Sequence, residues 1–248
     1  MTHTVAASRA APDSQRRFAV TAGAGILLIA ALSAIVAVVG PAGLLTGSGT
    51  AGTVDDIVAS PGRFDLSIAA LFVVALLDVV VAWALFHLFA TSNRGLAGLA
   101  AGARAAYAAL FALAIAQLLA VSSDLGGTGP PSDQARAAAS AGLADFRALW
   151  LAALVLFGIH LVLVGWLAYT SRLVPRVVAV LVALAGLGYL VDSIATWLVS
   201  DYTFSVAALT AVGELLLGIW LFAKGFSGRP AHTQSVEITT PERAPSSR

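Results

Sequence analysis

Six apolar runs, each long enough to cross a lipid bilayer, decide most of what this chain can fold into. They cover Phe18–Val39, Leu66–Ala90, Leu96–Val121, Phe146–Thr170, Val174–Val199 and Thr203–Ala223. At ~1.5 Å per residue, runs of this length reach roughly 31–39 Å, enough for the ~30 Å hydrocarbon layer with some tilt. Backbone N–H and C=O groups in lipid must be satisfied within the segment, so each run is expected to be a helix. The period-2 alternation of a membrane β-barrel is absent. The predicted fold is all-α, a polytopic bundle of six transmembrane helices. The rest of the composition agrees: 59% of the 248 residues are hydrophobic, 11% are charged, and mean hydropathy is +0.90. A water-soluble domain carries about 25% charged residues.

Arg and Lys orient the bundle. With six spans both termini share one side, which holds Arg9, Arg16, Arg17, Arg94, Arg172, Arg176, Lys224 and Arg229 near span ends. The other side holds Arg63, Arg136 and Arg147, and most of the loop acids. Both termini are therefore expected in the cytoplasm. Residues 1–15 and 225–248 read as disordered cytoplasmic tails around a membrane domain at 16–224. Phe18–Val39 exceeds the apolar core of a signal peptide and reads as a retained span. The turns at Ser92–Gly95 and Ser171–Leu173 are short enough to make antiparallel hairpins. Two loops on the outer side are long. In the first, Thr53 and Asp56 form a T-x-x-D pattern that predicts a capped helix over Val54–Ala59. In the second, Ser132 is expected to cap an Ala-rich helix, Asp133–Ala141, that leads into span four. Gly98 and Gly102 form a GxxxG, continued by Ala105, Ala109 and Ala112, and are expected to pack inside the bundle because Arg104 shares their helix.

The chain has no cysteine, which excludes disulfides, thiolate metal sites and thiol catalysis. A net charge of +1 offers no footprint for nucleic acid. Thirteen of the fourteen basic residues are Arg, and with the wealth of Ala, Gly and Val this points to a bacterial chain and so to a bacterial cell membrane. The bilayer is the one partner the sequence identifies; a protein partner or homo-oligomer stays open.

Two blocks of residues carry a family resemblance. The first runs Asp56–Ser60, Leu76–Phe86 and Ser92–Ala97, with Arg104 following. The second runs Phe157–Leu161, Gly165–Ser171, Val174–Arg176 and Ala185–Ser193. Together they resemble the bacterial integral-membrane family catalogued as domain of unknown function 4386, over roughly Phe18 to Phe226. The resemblance implies a polytopic membrane protein and no assigned activity. Gly102-Ala103 before Arg104 departs from the bulkier residues usual there.

Ionisable residues inside spans are costly and mark function. Here they are Asp78, His87, Arg104, His160, Asp192 and Glu214. Counted at ~1.5 Å per residue from the cytoplasmic ends, Asp78, Arg104, His160 and Glu214 fall ~15–18 Å deep, in one mid-membrane layer. Asp78 and Arg104 lie on adjacent antiparallel spans and are expected to pair. Glu214 then has no obvious cation except a protonated His160 unless burial keeps it neutral, and it is expected to face the bundle interior near His160 or Arg104. His87 lies near the cytoplasmic interface, and Asp192 is a secondary candidate in span five, where Asp192 to Trp197 echoes the D-x4-W of Asp78 to Trp83. The depth difference between His87 and His160 argues against a bis-His haem. No H-E-x-x-H, P-loop, G-x-S-x-G or dinucleotide fingerprint is present. No cofactor, metal or enzymatic activity is expected. Two functions remain open: a small-solute or proton-linked transporter using the mid-membrane cluster, and a non-catalytic structural or regulatory protein acting through a partner.

Overall fold

The computed structural model describes residues 10–45, 50–127, 129–199 and 212–226. Among them are seven helices and no strand. They are α1 (Ala10–Val39), α2 (Thr50–Ala59), α3 (Pro61–Phe89), α4 (Arg94–Leu125), α5 (Asp133–Ser171), α6 (Arg176–Leu198) and α7 (Val212–Phe226). Five of these, α1 from Ser14 onward and α3 to α6, are long and apolar enough to cross a membrane. Residues 203–211 of the expected sixth span lie outside the described residues, as do most of the expected tails, 1–9 and 227–248. The helical content of α1 begins at Ala10, within the expected N-terminal tail.

Six helices close a ring. Helix α1 packs on α3, α3 on α4, α4 on α5, α5 on α6, α6 on α7, and α7 back on α1. One end of the ring carries the short α3–α4 and α5–α6 turns; α2 lies at the other, against α5 and α3. The turns are built from local chemistry. The side chain of Asn93 accepts a hydrogen bond from the Leu96 amide at 3.0 Å and caps α4. Arg172 ends α5 in the left-handed region, at φ 58°, and Pro175 precedes the first turn of α6. Outward-facing side chains are large and apolar, Leu66, Leu76, Val177 and Leu187 among them. Water would reject such a surface and lipid accepts it. Exposed Trp83, Trp166 and Trp220 sit within two turns of the hairpin end, and Trp197 near the opposite end. These are the depths at which interfacial aromatics collect.

Three local expectations meet the structure, and two of them are corrected. The Ala-rich Asp133–Ala141 stretch leads into span four without a break, as one helix, α5, of 39 residues and roughly 58 Å. Ser132 caps it as expected, accepting from the Ala135 amide at 3.2 Å. Gly142 does not interrupt it, because its bare Cα face is filled by Val121 of α4; a Cβ there would lie 2.7 Å from Val121 Cγ2. Helix α2 starts at Thr50, so Thr53 and Asp56 lie beyond its first residue and do not cap it. They clamp the α1–α2 connection instead: Thr53 donates to the Ala42 carbonyl at 2.7 Å and Asp56 accepts from the Ala42 amide at 3.0 Å. The small-residue row of α4 faces outward in its middle, while Gly98, beside Phe86, and Ala112 are half-buried. Gly102, Ala105 and Ala109 are exposed, and a Cβ on Gly102 would meet nothing within 4 Å. Two residues are a rotation of ~200° on a helix, so turning Arg104 inward turns Gly102 out.

The close glycine contact lies between α5 and α6. A Cβ on Gly186 would be 2.6 Å from the Gly158 carbonyl oxygen, and one on Gly158 would be 2.8 Å from that of Gly186. These backbones touch because neither residue has a side chain. Two alanine substitutions therefore have opposite signs. Gly102→Ala gains helix propensity at no steric cost and raises stability by up to about 1 kcal/mol. Gly186→Ala separates two helices and lowers it by about 1–3 kcal/mol. Thermal unfolding of the purified protein reads both; equal shifts would contradict the packing.

Candidate functional site

The inward stripe of α4 is Ala97, Ala100, Arg104, Tyr107, Ala108, Phe111, Ala114 and Ile115, all buried. Alanines at 97, 100 and 108 keep this stripe thin and make room for one long side chain. Arg104 fills it, 1% exposed, at the centre of the ring. From α3, Asp78 reaches it: Arg104 Nε donates to Asp78 Oδ1 at 2.8 Å. Arg104 Nη2 lies 2.6 Å from the same oxygen, angled for a charge contact rather than a hydrogen bond. From α7, Glu214 accepts from Arg104 Nη1 at 3.3 Å. From α5, His160 places Nε2 3.2 Å from that same Nη1. The guanidinium carbon also lies 5.2 Å from the centre of the Phe157 ring, a cation–π contact.

These contacts define the state of His160. Its Nδ1 lies 2.8 Å from the Ala100 carbonyl, which can only accept, so Nδ1 carries the hydrogen. Its Nε2 faces a guanidinium, which can only donate, so Nε2 offers its lone pair. His160 is therefore the neutral Nδ1–H tautomer, an assignment made from the chemistry of its partners. Of the two neighbours expected for Glu214, His160 and Arg104, a neutral His160 is no cation. That role belongs to Arg104, which is shared: one guanidinium faces two carboxyl groups. With both acids ionised the cluster carries one net negative charge; one bound proton makes it neutral.

The other candidates lie apart. His87 is half-buried in an aromatic nest near the hairpin end, stacked on Phe18 with centroids 4.7 Å apart and edge-on to Trp83 at 5.1 Å. Asp192 is half-buried on α6, where its backbone carbonyl accepts from Thr196 at 2.8 Å.

A cavity of about 460 Å3 meets the cluster. Asp78, Arg104 and Glu214 line it, and it extends through the half of the bundle nearer α2 as far as Leu45. The Glu214 side chain is 16% exposed, against 2% for Asp78 and 1% for Arg104, so Glu214 is the member of the cluster that the cavity reaches most freely. The walls are apolar and aromatic, with Tyr107, Phe111, Trp150, Phe157 and Tyr189 among them. Sequence reasoning passed over these aromatics. The signal was there: Tyr107 and Phe111 follow Arg104 by three and seven residues, and Phe157 precedes His160 by three, all on the inward faces of their helices.

The profile of a family described as "Domain of unknown function (DUF4386)" matches residues 21–225, a stretch holding the whole cluster. The chain belongs to this family. It is similar to an "Uncharacterized protein" of Archaeoglobus fulgidus, 29% identical over 159 residues, covering 64% of this chain and 83% of that relative. No solved structure matches the chain. The membrane-protein reading of the DUF4386 chain rests on its five long apolar helices.

Breaking a buried ion pair from one side leaves an uncompensated charge and costs about 3–5 kcal/mol. Asp78→Ala and Arg104→Ala are each expected to destabilise the bundle by about that amount. The double substitution should cost less than the sum, by about 0.5–3 kcal/mol. A double-mutant cycle on thermal unfolding measures this, and strictly additive losses would contradict the pairing.

Proposed function

We propose that this protein is a small-solute carrier coupled to protons, with Glu214 as the exchangeable carboxyl. One observation carries the proposal: a mid-bundle cavity meets a cluster in which two carboxyl groups share one guanidinium. Such a cluster has a place for one proton whose binding changes its charge from negative to neutral. The proton sits on the acid that the cavity reaches, and the neighbouring Asp78–Arg104 pair holds the site in position. A solute arriving through the cavity meets this same carboxyl, so solute and proton compete for it or travel with it.

The proposed setting is a bacterial cell membrane crossed six times, with the sixth span ending in α7 and both termini in the cytoplasm. The charge asymmetry supports this orientation: Arg94, Arg172, Arg176 and Lys224 all lie at the hairpin end. The cavity then extends toward the outer face, on the side of α2.

A second reading, a non-catalytic membrane protein acting through a protein partner, draws on the outward small-residue face of Gly102, Ala105 and Ala109. The two part at Glu214. In vesicles carrying the purified chain and an internal pH dye, a panel of cationic, anionic and neutral solutes is added in turn. A carrier gives protein-dependent proton movement with at least one solute class. Glu214→Gln, which keeps the shape and removes the exchangeable proton, abolishes that movement while the protein still elutes as the wild type does. Unchanged movement in Glu214→Gln, or none with any solute, would contradict the carrier.

A further inference from the structure

We infer that the cavity takes an organic cation, which displaces the proton of Glu214. This deepens the carrier reading and rests on it. Four features of the cavity argue for this class of ligand.

The charge balance comes first. Among the described lining residues the formal charges are Asp78 and Glu214 against Arg104. The groups that face Glu214 across the cluster are Asp78 of α3, Arg104 and Tyr107 of α4, His160 of α5 and Tyr189 of α6; α1 contributes the hydroxyl of Ser33 to the cavity. With His160 neutral and both tyrosines carrying their protons, the surplus is one negative charge. A cation fills that deficit and an anion worsens it.

The guanidinium is also unavailable to an anion. Arg104 is buried behind the two carboxyl groups and His160, and its carbon faces the Phe157 ring. The accessible charge is the Glu214 carboxylate.

The walls suit a cation with organic substituents. Tyr107, Phe111, Trp150, Phe157 and Tyr189 line the space, and aromatic faces attract desolvated ammonium groups through the ring quadrupole. Tyr107 and Phe111 stack at 5.7 Å, and Phe157 and Tyr189 meet edge to face at 5.2 Å, so the walls are braced against one another. A hard metal ion instead requires six or more oxygen ligands or retained water. The aliphatic remainder, such as Ile26, Leu71 and Leu154, suits alkyl or aryl groups.

The last feature is the balance of the step. A protonated Glu214 and an arriving organic cation give the ionised carboxylate, the bound cation and one proton released through the cavity. No bond other than the carboxyl O–H is broken, and the cluster is neutral before and after.

The test uses the full chain in detergent micelles with tetraethylammonium chloride as the probe, followed by calorimetry across pH. One proton released per cation bound makes affinity rise with pH, by up to about tenfold per pH unit while the carboxyl is still protonated. Glu214→Gln should weaken binding at least about tenfold and flatten its pH dependence, while Glu214→Asp keeps the slope. Trp150→Leu should weaken binding about fivefold and leave the slope unchanged. The inference is overturned if tetraethylammonium fails to bind a wild type that elutes as a single species, or binds with no pH dependence, or binds Glu214→Gln as tightly as the wild type. Binding of benzenesulfonate in its place, with Glu214-dependent proton movement in vesicles, would overturn the cation class and leave the carrier standing.

Discussion

A guanidinium at the centre of a helix bundle has one charge to neutralise and five N–H donors to place. Inserting it at mid-membrane costs about 2.5–3.5 kcal/mol before any partner is found. The rest of the core is arranged around that demand. Asp78, Glu214 and His160 converge on Arg104 from three different helices, and Phe157 covers its face. Helices α3, α5 and α7 are thereby tied to α4, and the identity of His160 as a neutral acceptor follows from the same donors. Closing the ring places these side chains in one layer, beside a cavity with aromatic walls.

Close packing and openness divide the bundle between them. Where α5 meets α6, Gly158 and Gly186 bring the backbones into contact, and Gly165 continues the seam beside Ala183. Beside this seam the cavity wall is aromatic, with Phe157 and Tyr189 close in sequence to Gly158 and Gly186. A carrier needs both properties: a rigid seam to move as a unit and a polar site that a solute can reach.

The helices were legible because a bilayer admits few alternatives: an apolar run of the right length must be helical whatever it packs against. The depths of Asp78 and Arg104 were legible for the same reason, since a short turn puts their helices in register. Direction around a helix was harder to read. Gly98–Gly102 looked like an interior contact because Arg104 is near in sequence, yet the ~200° between 102 and 104 puts them on opposite faces. The depth of Glu214 placed it near His160 or Arg104, but counting one cation against one acid did not show that Arg104 serves both carboxyl groups, although its planar fork can serve partners on two sides. Helix boundaries at the α2 end depend on tertiary contacts, Val121 against Gly142 and Ala42 against Thr53 and Asp56, which no local pattern announces.

The central claim is that water and solute reach the buried cluster through the cavity. Ser33 of α1 lines that cavity, and the chain has no cysteine of its own, so Ser33→Cys creates a single reporter. Its reaction with a small, charged, water-soluble thiol reagent in lipid vesicles tests the claim most directly, with Leu118→Cys, fully buried on α4, as the reference. The account predicts that Cys at 33 reacts at least about tenfold faster than Cys at 118, since only a hydrated thiol forms the reactive thiolate. Equal, slow reaction at both positions would mean a dry interior and would contradict it.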